Sequence, residues 1–211
     1  MTAIDVDHQL SKRWTRSVGD SSYGSVVVGP GTRLYTTSGS ALVALDDHGD
    51  HGDVAWRADP GDDITEVSPG LAEDGTALLG TNGANEWAYH PDGTPKWHAP
   101  RIITYSSPSV TGTGLAYVGD HSGTVHVFRI DDGAQVAAYP APGAQIWSST
   151  ILDKNYRLYL GTQSGHALGL DPKGAVVFDV DLGAPVDSYP ALTADGALII
   201  GARNATLTAI G

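Results

Sequence analysis

Ser107-Pro108-Ser109-Val110, followed after five residues by Ala116-Tyr117-Val118-Gly119-Asp120-His121-Ser122-Gly123, is the stretch that decides the fold. Apolar runs of four or five residues, punctuated by Pro, Gly, Ser and Asp, fit strands and are too short for helices. The same pair of segments recurs as Ser68-Pro69-Gly70-Leu71 with Ala77-Leu78-Leu79-Gly80-Thr81-Asn82-Gly83. It returns as Ser149-Thr150-Ile151-Leu152 with Leu158-Tyr159-Leu160-Gly161-Thr162-Gln163-Ser164-Gly165. A fourth copy is Tyr189-Pro190-Ala191-Leu192 with Leu198-Ile199-Ile200-Gly201-Ala202-Arg203-Asn204, and a worn first copy is Ser25-Val26-Val27-Val28 with Leu34-Tyr35-Thr36-Thr37-Ser38-Gly39. In every copy the second residue of the tetrad lies 11 positions before the Gly, or Thr37, that ends the apolar run.

Those second residues fall at 26, 69, 108, 150 and 190, spaced by 43, 39, 42 and 40. A separate column, Trp14, Trp56, Trp97, Ala137 and Phe178, repeats at 42, 41, 40 and 41. In the third unit the pattern predicts an inner strand near 105–110, a second over 115–119, a third over 125–129 and a fourth near 135–139. No window sustains an apolar 3.6-residue period, so helix is expected to be nearly absent. Units of about 40 residues with four strands each are the signature of a β-propeller. The aromatic of each unit is expected to fill the gap between neighbouring blades.

The repeat resembles the quinoprotein-like (PQQ-like) propeller family. Members include quinone-dependent alcohol dehydrogenases and the barrel-assembly lipoprotein of outer membranes. The resemblance rests on Ser107-Pro108, Tyr117-Val118-Gly119, Val125-His126-Val127-Phe128, Ala44-Leu45-Asp46 and Trp56, and it extends over essentially the whole chain, read as one domain, 1–211. It implies an all-β propeller and says little about function. Thr2-Ala3-Ile4-Asp5 and Leu207-Thr208-Ala209-Ile210 both match a third strand, with a fourth strand around Trp14. Two architectures follow: five blades closed by pairing the Trp14 strand with Leu207–Ile210, or a fragment of a seven- or eight-bladed propeller. The family's quinone dehydrogenases are longer and in many cases hold their cofactor with paired cysteines. This chain has no cysteine, so quinone chemistry and any other cofactor are not expected.

With 211 residues the chain is long enough for a real core. No apolar run nears the roughly 20 residues of a membrane span, so no membrane insertion is expected. Met1-Thr2-Ala3-Ile4-Asp5 does not read as a signal peptide, which favours the cytoplasm if Met1 is the native start and an extracytoplasmic place if the chain is an excised domain. A formal charge of −12 argues against nucleic-acid partners. Of the acids, 21 are Asp and only Glu66, Glu73 and Glu86 are Glu, a bias that suits tight turns, or else a salt-adapted surface. Asn204-Ala205-Thr206 matches a glycosylation acceptor and equally a turn.

Candidate site residues come from aligning the units. Two positions before each tetrad stand Tyr23, Glu66, Tyr105, Trp147 and Asp187; two past the Gly column stand Gly39, Asn82, His121, Gln163 and Arg203. Both columns are expected on one face, around the mouth of the central funnel. A structural column repeats one residue, whereas these mix aromatics, carboxylates and hydrogen-bonding groups, as a ligand site does; free drift of exposed loops gives the same variety. The function expected is therefore a non-catalytic module that binds a protein segment or small polar ligand, as a monomer. The alternative is an enzyme using Glu66, Asp187, Tyr105 and His121, one carboxyl kept protonated by an apolar wall. No metal is assigned. The stretch Asp46-Asp47-His48-Gly49-Asp50-His51-Gly52-Asp53 reads as an enlarged hairpin, with His48 and His51 only weak candidates for a divalent cation because their spacing lacks helical register.

Overall fold

A computed structural model describes residues 1–7, 11–21, 24–64, 67–83, 85–142 and 145–211. No described residue is helical. A hairpin of β1 (Thr2–Asp5) and β2 (Ser11–Thr15) comes first. A four-stranded sheet follows, β3 (Val27–Val28), β4 (Arg33–Ser38), β5 (Ala41–Asp47) and β6 (Gly52–Ala58). The next two blades are β7 (Gly70–Leu71), β8 (Ala77–Gly80), β9 (Asn85–Tyr89) and β10 (Pro95–Pro100), then β11 (Ser109–Val110), β12 (Leu115–Gly119), β13 (Thr124–Arg129) and β14 (Gln135–Pro140). A fourth comprises β15 (Ile151–Leu152), β16 (Leu158–Gly161), β17 (His166–Leu170) and β18 (Val176–Asp181), and the last sheet has three strands, β19 (Ala191–Leu192), β20 (Leu198–Ala202) and β21 (Thr206–Ile210). Every blade is an antiparallel meander in chain order.

The inner strands are shorter than the sequence suggests: β11 begins at Ser109, not near 105. Pro108 has no N–H to give a ladder. Ser107 N–H turns instead to the next blade and donates to Ser149 Oγ at 2.9 Å. The same relay runs from Ser25 N–H to Ser68 Oγ and from Ser68 N–H to Ser107 Oγ, at 2.8 and 2.9 Å. The tetrad serines thus stitch the inner ends of adjacent blades together.

The core lies between blades. Tyr35, Leu42 and Ala44 of one sheet pack against Val67, Ala77, Leu79 and Tyr89 of the next. Farther on, Tyr117, Val125 and Val127 pack against Ile146, Leu158, Leu160 and Leu168. Middle strands are covered on both faces, which is why β5 and β8 read as continuous apolar runs rather than alternating ones. The Gly column exists because blades approach closely there. A Cβ on Gly119 would sit 2.4 Å from Ile146 Cγ2, and one on Gly161 would sit 2.1 Å from Val186 Cγ1.

The aromatic column marks a second contact. The Trp56 indole lies on Gly93 and donates to Pro91 O at 2.8 Å; Trp97 lies on Gly133 and donates to Ile130 O at 2.7 Å. Trp56, Trp97 and Phe178 are half-buried rather than fully enclosed. In the third blade Ala137 leaves the role to Tyr139, whose ring covers Gly174 and whose hydroxyl donates to Pro172 O at 3.1 Å. Phe178 departs from the pattern and covers Gly169 in its own sheet.

The expected ladder between the Trp14 strand and Leu207–Ile210 is not formed. β2 pairs with β1, and among the described residues β21 has only β20 beside it. Trp14 instead repeats the blade-to-blade contact: its indole lies on Gly52 and its Nε1 donates to Asp47 Oδ1 at 2.9 Å. The hairpin thus packs on the β3–β6 sheet as one blade packs on the next. The described chain is a run of four complete blades flanked by a two-stranded and a three-stranded sheet. Asn204-Ala205-Thr206 forms a tight turn, with Ala205 at φ 62° and Asn204 Oδ1 accepting from Thr206 N–H and Oγ1.

Candidate functional site

The loop entering an inner strand and the turn between second and third strands are joined by one recurring backbone bond. His121 N–H donates to Ile103 O, Gln163 N–H to Gln145 O and Arg203 N–H to Pro185 O, each at 2.9 Å. This bond places His121 beside Tyr105, Gln163 beside Trp147 and Arg203 beside Asp187. Asn82 N–H makes the corresponding bond to Asp63 O. Tyr23 and Glu66 lie outside the described residues.

Side chains of three successive blades then meet. The Tyr105 ring lies 4.7 Å from His121 and 5.2 Å, edge-on, from Trp147, with 5.7 Å between His121 and Trp147. Gln163 Nε2 and Arg203 Nε donate to different carboxylate oxygens of Asp187. The Arg203 guanidinium carbon stands 5.6 Å from the centre of the Trp147 ring, a cation–π distance. Trp147 Nε1 donates to Gln145 Oε1 at 3.0 Å. The protein's own arginine, rather than an open face, therefore greets whatever approaches that indole. Burial holds the His121 imidazole below its ordinary 6.5 despite Asp120 next in sequence, so it is neutral at pH 7. Its Nε2 has no hydrogen-bond partner among the described residues.

Tyr105, Trp147, Asp187, Tyr189 and Arg203 line a cavity of about 230 Å³. Tyr189 was absent from the sequence-derived columns. It occupies the place held by serine in the other four units, and its hydroxyl lies 3.1 Å from Ser107 Oγ, two blades away. The break in the serine column was the available signal. Asn82 makes no hydrogen bond to this cluster among the described residues, and its Oδ1 is buried without a partner there. A hollow of about 540 Å³ lies between the turns at Asp153–Arg157 and Thr193–Gly196. Its polar groups close their own turns: Asp153 Oδ1 accepts from Asn155 and Arg157 N–H, and Thr193 Oγ1 bonds Asp195. Among the described residues only one aromatic, Tyr159, lines it.

Away from the mouth, His48 and His51 occupy the exposed β5–β6 turn, their rings stacked 4.8 Å apart. Glu86, in β9, is fully buried, and burial pushes its carboxyl well above the ordinary 4.5.

Among solved structures, the chain superposes on BamB from Moraxella catarrhalis with a TM-score of 0.79 and 19% identity, covering 95% of this chain and 62% of that one. It also superposes on a chain of the Mitotic Checkpoint Complex with a TM-score of 0.70 and 13% identity, covering 87% of this chain and 58% of that one. At these identities the likeness is one of fold, and the chain spans less than two thirds of either structure. No curated protein matches it in sequence. The family model described as outer membrane protein assembly factor BamB matches residues 3–156, well over half of the chain. Together with the serine relay, the Gly column and the four-stranded blades, this match shows that the chain belongs to the BamB-like family of PQQ-repeat β-propellers.

Proposed function

We propose that this chain is a non-catalytic binding module that receives an extended protein segment across the inner-strand mouth, seating one side chain among Tyr105, Trp147, Tyr189, Asp187 and Arg203. The observation that carries this reading is the aromatic and charged cluster assembled from three blades around a small cavity. About 230 Å³ is below the roughly 300–1,000 Å³ of pockets that enclose a small molecule. That size suits one side chain of a larger partner. Tyr and Trp beside an Arg are also the residue types that dominate protein-binding hot spots. The likeness to an assembly factor and to a chain of a checkpoint complex points toward assembly work. The net charge of −12 favours neutral or cationic segments.

The enzyme alternative has less support. Both carboxylate oxygens of Asp187 are engaged, by Gln163 and Arg203, which suits an anchor better than a free base.

The test begins with extended peptides selected from a random displayed library on the immobilised protein. Their binding is followed by tryptophan emission, with Trp147→Phe as the optical control and calorimetry as the affinity measure. Tyr105→Ala should weaken binding by about 10-fold, as loss of one aromatic contact of about 1.4 kcal/mol predicts. Segments that bind the double variant Tyr105→Ala/Trp147→Phe as tightly as the parent overturn the proposal. So does turnover of the bound peptide.

A further inference from the structure

The β5–β6 turn carries a constellation that the mouth does not explain. His48, His51 and Asp53 each bring one donor atom within 4.8 Å of the others. His51 Nε2 lies 3.6 Å from Asp53 Oδ2, and His48 Nε2 lies 4.0 Å from the same oxygen. On its other side, His51 Nδ1 is 2.6 Å from Asp50 Oδ1.

That last bond fixes the chemistry. A carboxylate only accepts, so Nδ1 carries the hydrogen, and the neutral ring then presents the Nε2 lone pair to Asp53. The His51 lone pair therefore faces Asp53 Oδ2, and His48 Nε2 converges on the same oxygen. A metal cation suits the point between them. A carboxylate behind a metal-facing imidazole is the usual outer-sphere arrangement of a histidine ligand. The second oxygen of Asp53 faces Arg16 at 3.9 Å, leaving Oδ2 to the imidazoles.

The turn is also held in place. His48 N–H donates to His51 O at 2.9 Å, and Gly49, at φ 92°, donates to Asp47 Oδ1 at 2.8 Å. The same Asp47 oxygen receives Trp14 Nε1, and Arg13 Nε donates to Gly49 O at 2.9 Å. Both tethers come from β2, so the donors sit on a clamped hairpin rather than a free loop, as a preorganised site requires.

We infer that His48 Nε2, His51 Nε2 and Asp53 Oδ2 form a three-ligand site for a divalent transition metal of the zinc class, with Asp50 orienting His51 and a fourth position open to water. Nitrogen and carboxylate donors about 2.0–2.2 Å from zinc in tetrahedral array stand about 3.3 Å apart. The two histidine–Asp53 distances, 3.6 and 4.0 Å, and the donor set as a whole, within 4.8 Å, contract to that spacing by rotation of exposed side chains. Two imidazoles and one carboxylate select zinc, nickel or copper over calcium or magnesium.

The experiment titrates Co²⁺ into the intact protein and follows its visible absorption, then displaces it with ZnCl₂. The parent should bind one equivalent saturably, with the intense bands of low-coordinate cobalt. His51→Gln and Asp53→Asn should each abolish saturable binding. Asp50→Asn, which touches no metal, should weaken it about 10-fold through loss of the orienting bond. His90→Gln, an exposed histidine on another blade, should change nothing. All these side chains are exposed, and circular dichroism checks that the variants fold. Absence of a saturable equivalent in the parent overturns the inference, as does a titration unchanged in His51→Gln or Asp53→Asn; the turn is then a set of histidine–carboxylate contacts.

Discussion

Replacing Glu86 by leucine should stabilise the protein, and by more as the pH rises. Glu86 pairs with Gly80 across β8 and β9, at a position filled by Leu42, Val125 and Ala167 in other blades. Its side chain is fully buried, and neither carboxyl oxygen has a hydrogen-bond partner among the described residues. Leaving such a group unpaired costs about 1–3 kcal/mol even when neutral. Ionising it there costs more, which is why burial drives its pKa well above 4.5. A raised folded pKa means that the stability is fully present below the unfolded value near 4.5 and is lost as pH climbs toward the folded value. The loss runs at about 1.4 kcal/mol per pH unit over that window. Urea unfolding of the parent, Glu86→Leu and Glu86→Gln from acid to mildly alkaline pH measures it. The parent curve should fall while both variants stay level in this respect, with Glu86→Leu ahead by about 1–3 kcal/mol even at the acid end. Three parallel curves, or a leucine variant less stable than the parent, would refute the reasoning.

Trp97→Ala removes both the cover of Gly133 and the bond to Ile130 O. With the indole half-buried, the cost should fall at the lower end of the range for aromatic deletions, about 3 kcal/mol by denaturant unfolding. Ala137→Trp should destabilise by about 1–3 kcal/mol, because Tyr139 already fills the gap over Gly174 that a tryptophan at this column would need. Burial alone would raise the Asp120 carboxyl, but hydrogen bonds from His126, Ser122 and the Thr124 backbone outweigh it and hold it down to about 2. Asp120→Asn should therefore lower stability at neutral pH relative to the parent, the gap closing as the pH falls through about 2; a gap constant down to the acid limit would contradict this assignment.

The period of the repeats and the four strands of each unit were legible because each unit repeats the same burial problem, with spacings near 41 that two columns report independently. Inner-strand length was not, since the serine N–H groups that leave the ladder find their acceptors about 40 residues away. The partner of the Trp14 strand was hidden for a related reason. β1 and β21 carry the same third-strand pattern, so the sequence offers β2 two partners, and the ladder from Thr2↔Thr15 to Asp5↔Ser11 shows that it joins β1. At the mouth, aligned columns found Tyr105, His121, Trp147, Gln163, Asp187 and Arg203, because the recurring loop-to-turn bond makes those columns neighbours in every blade. They could not show that Arg203 lies over Trp147 or that Asp187 is held by two donors. Tyr189 escaped because it opens the fourth tetrad, outside the two aligned columns, and nothing in the sequence shows its side chain crossing to Ser107. Glu86 stood in plain view as a carboxylate in an aliphatic column.

The most direct test of the account is where a bound segment lies. A photoreactive benzophenone residue placed at position 189, on the mouth, and separately at Val177, exposed on β18, should report it when irradiated with the selected peptide. The account predicts a cross-link from position 189 that excess unlabelled peptide suppresses, and none from position 177. Cross-linking from position 177 with none from position 189 would contradict it, and would move the binding surface from the inner mouth to the outer strands.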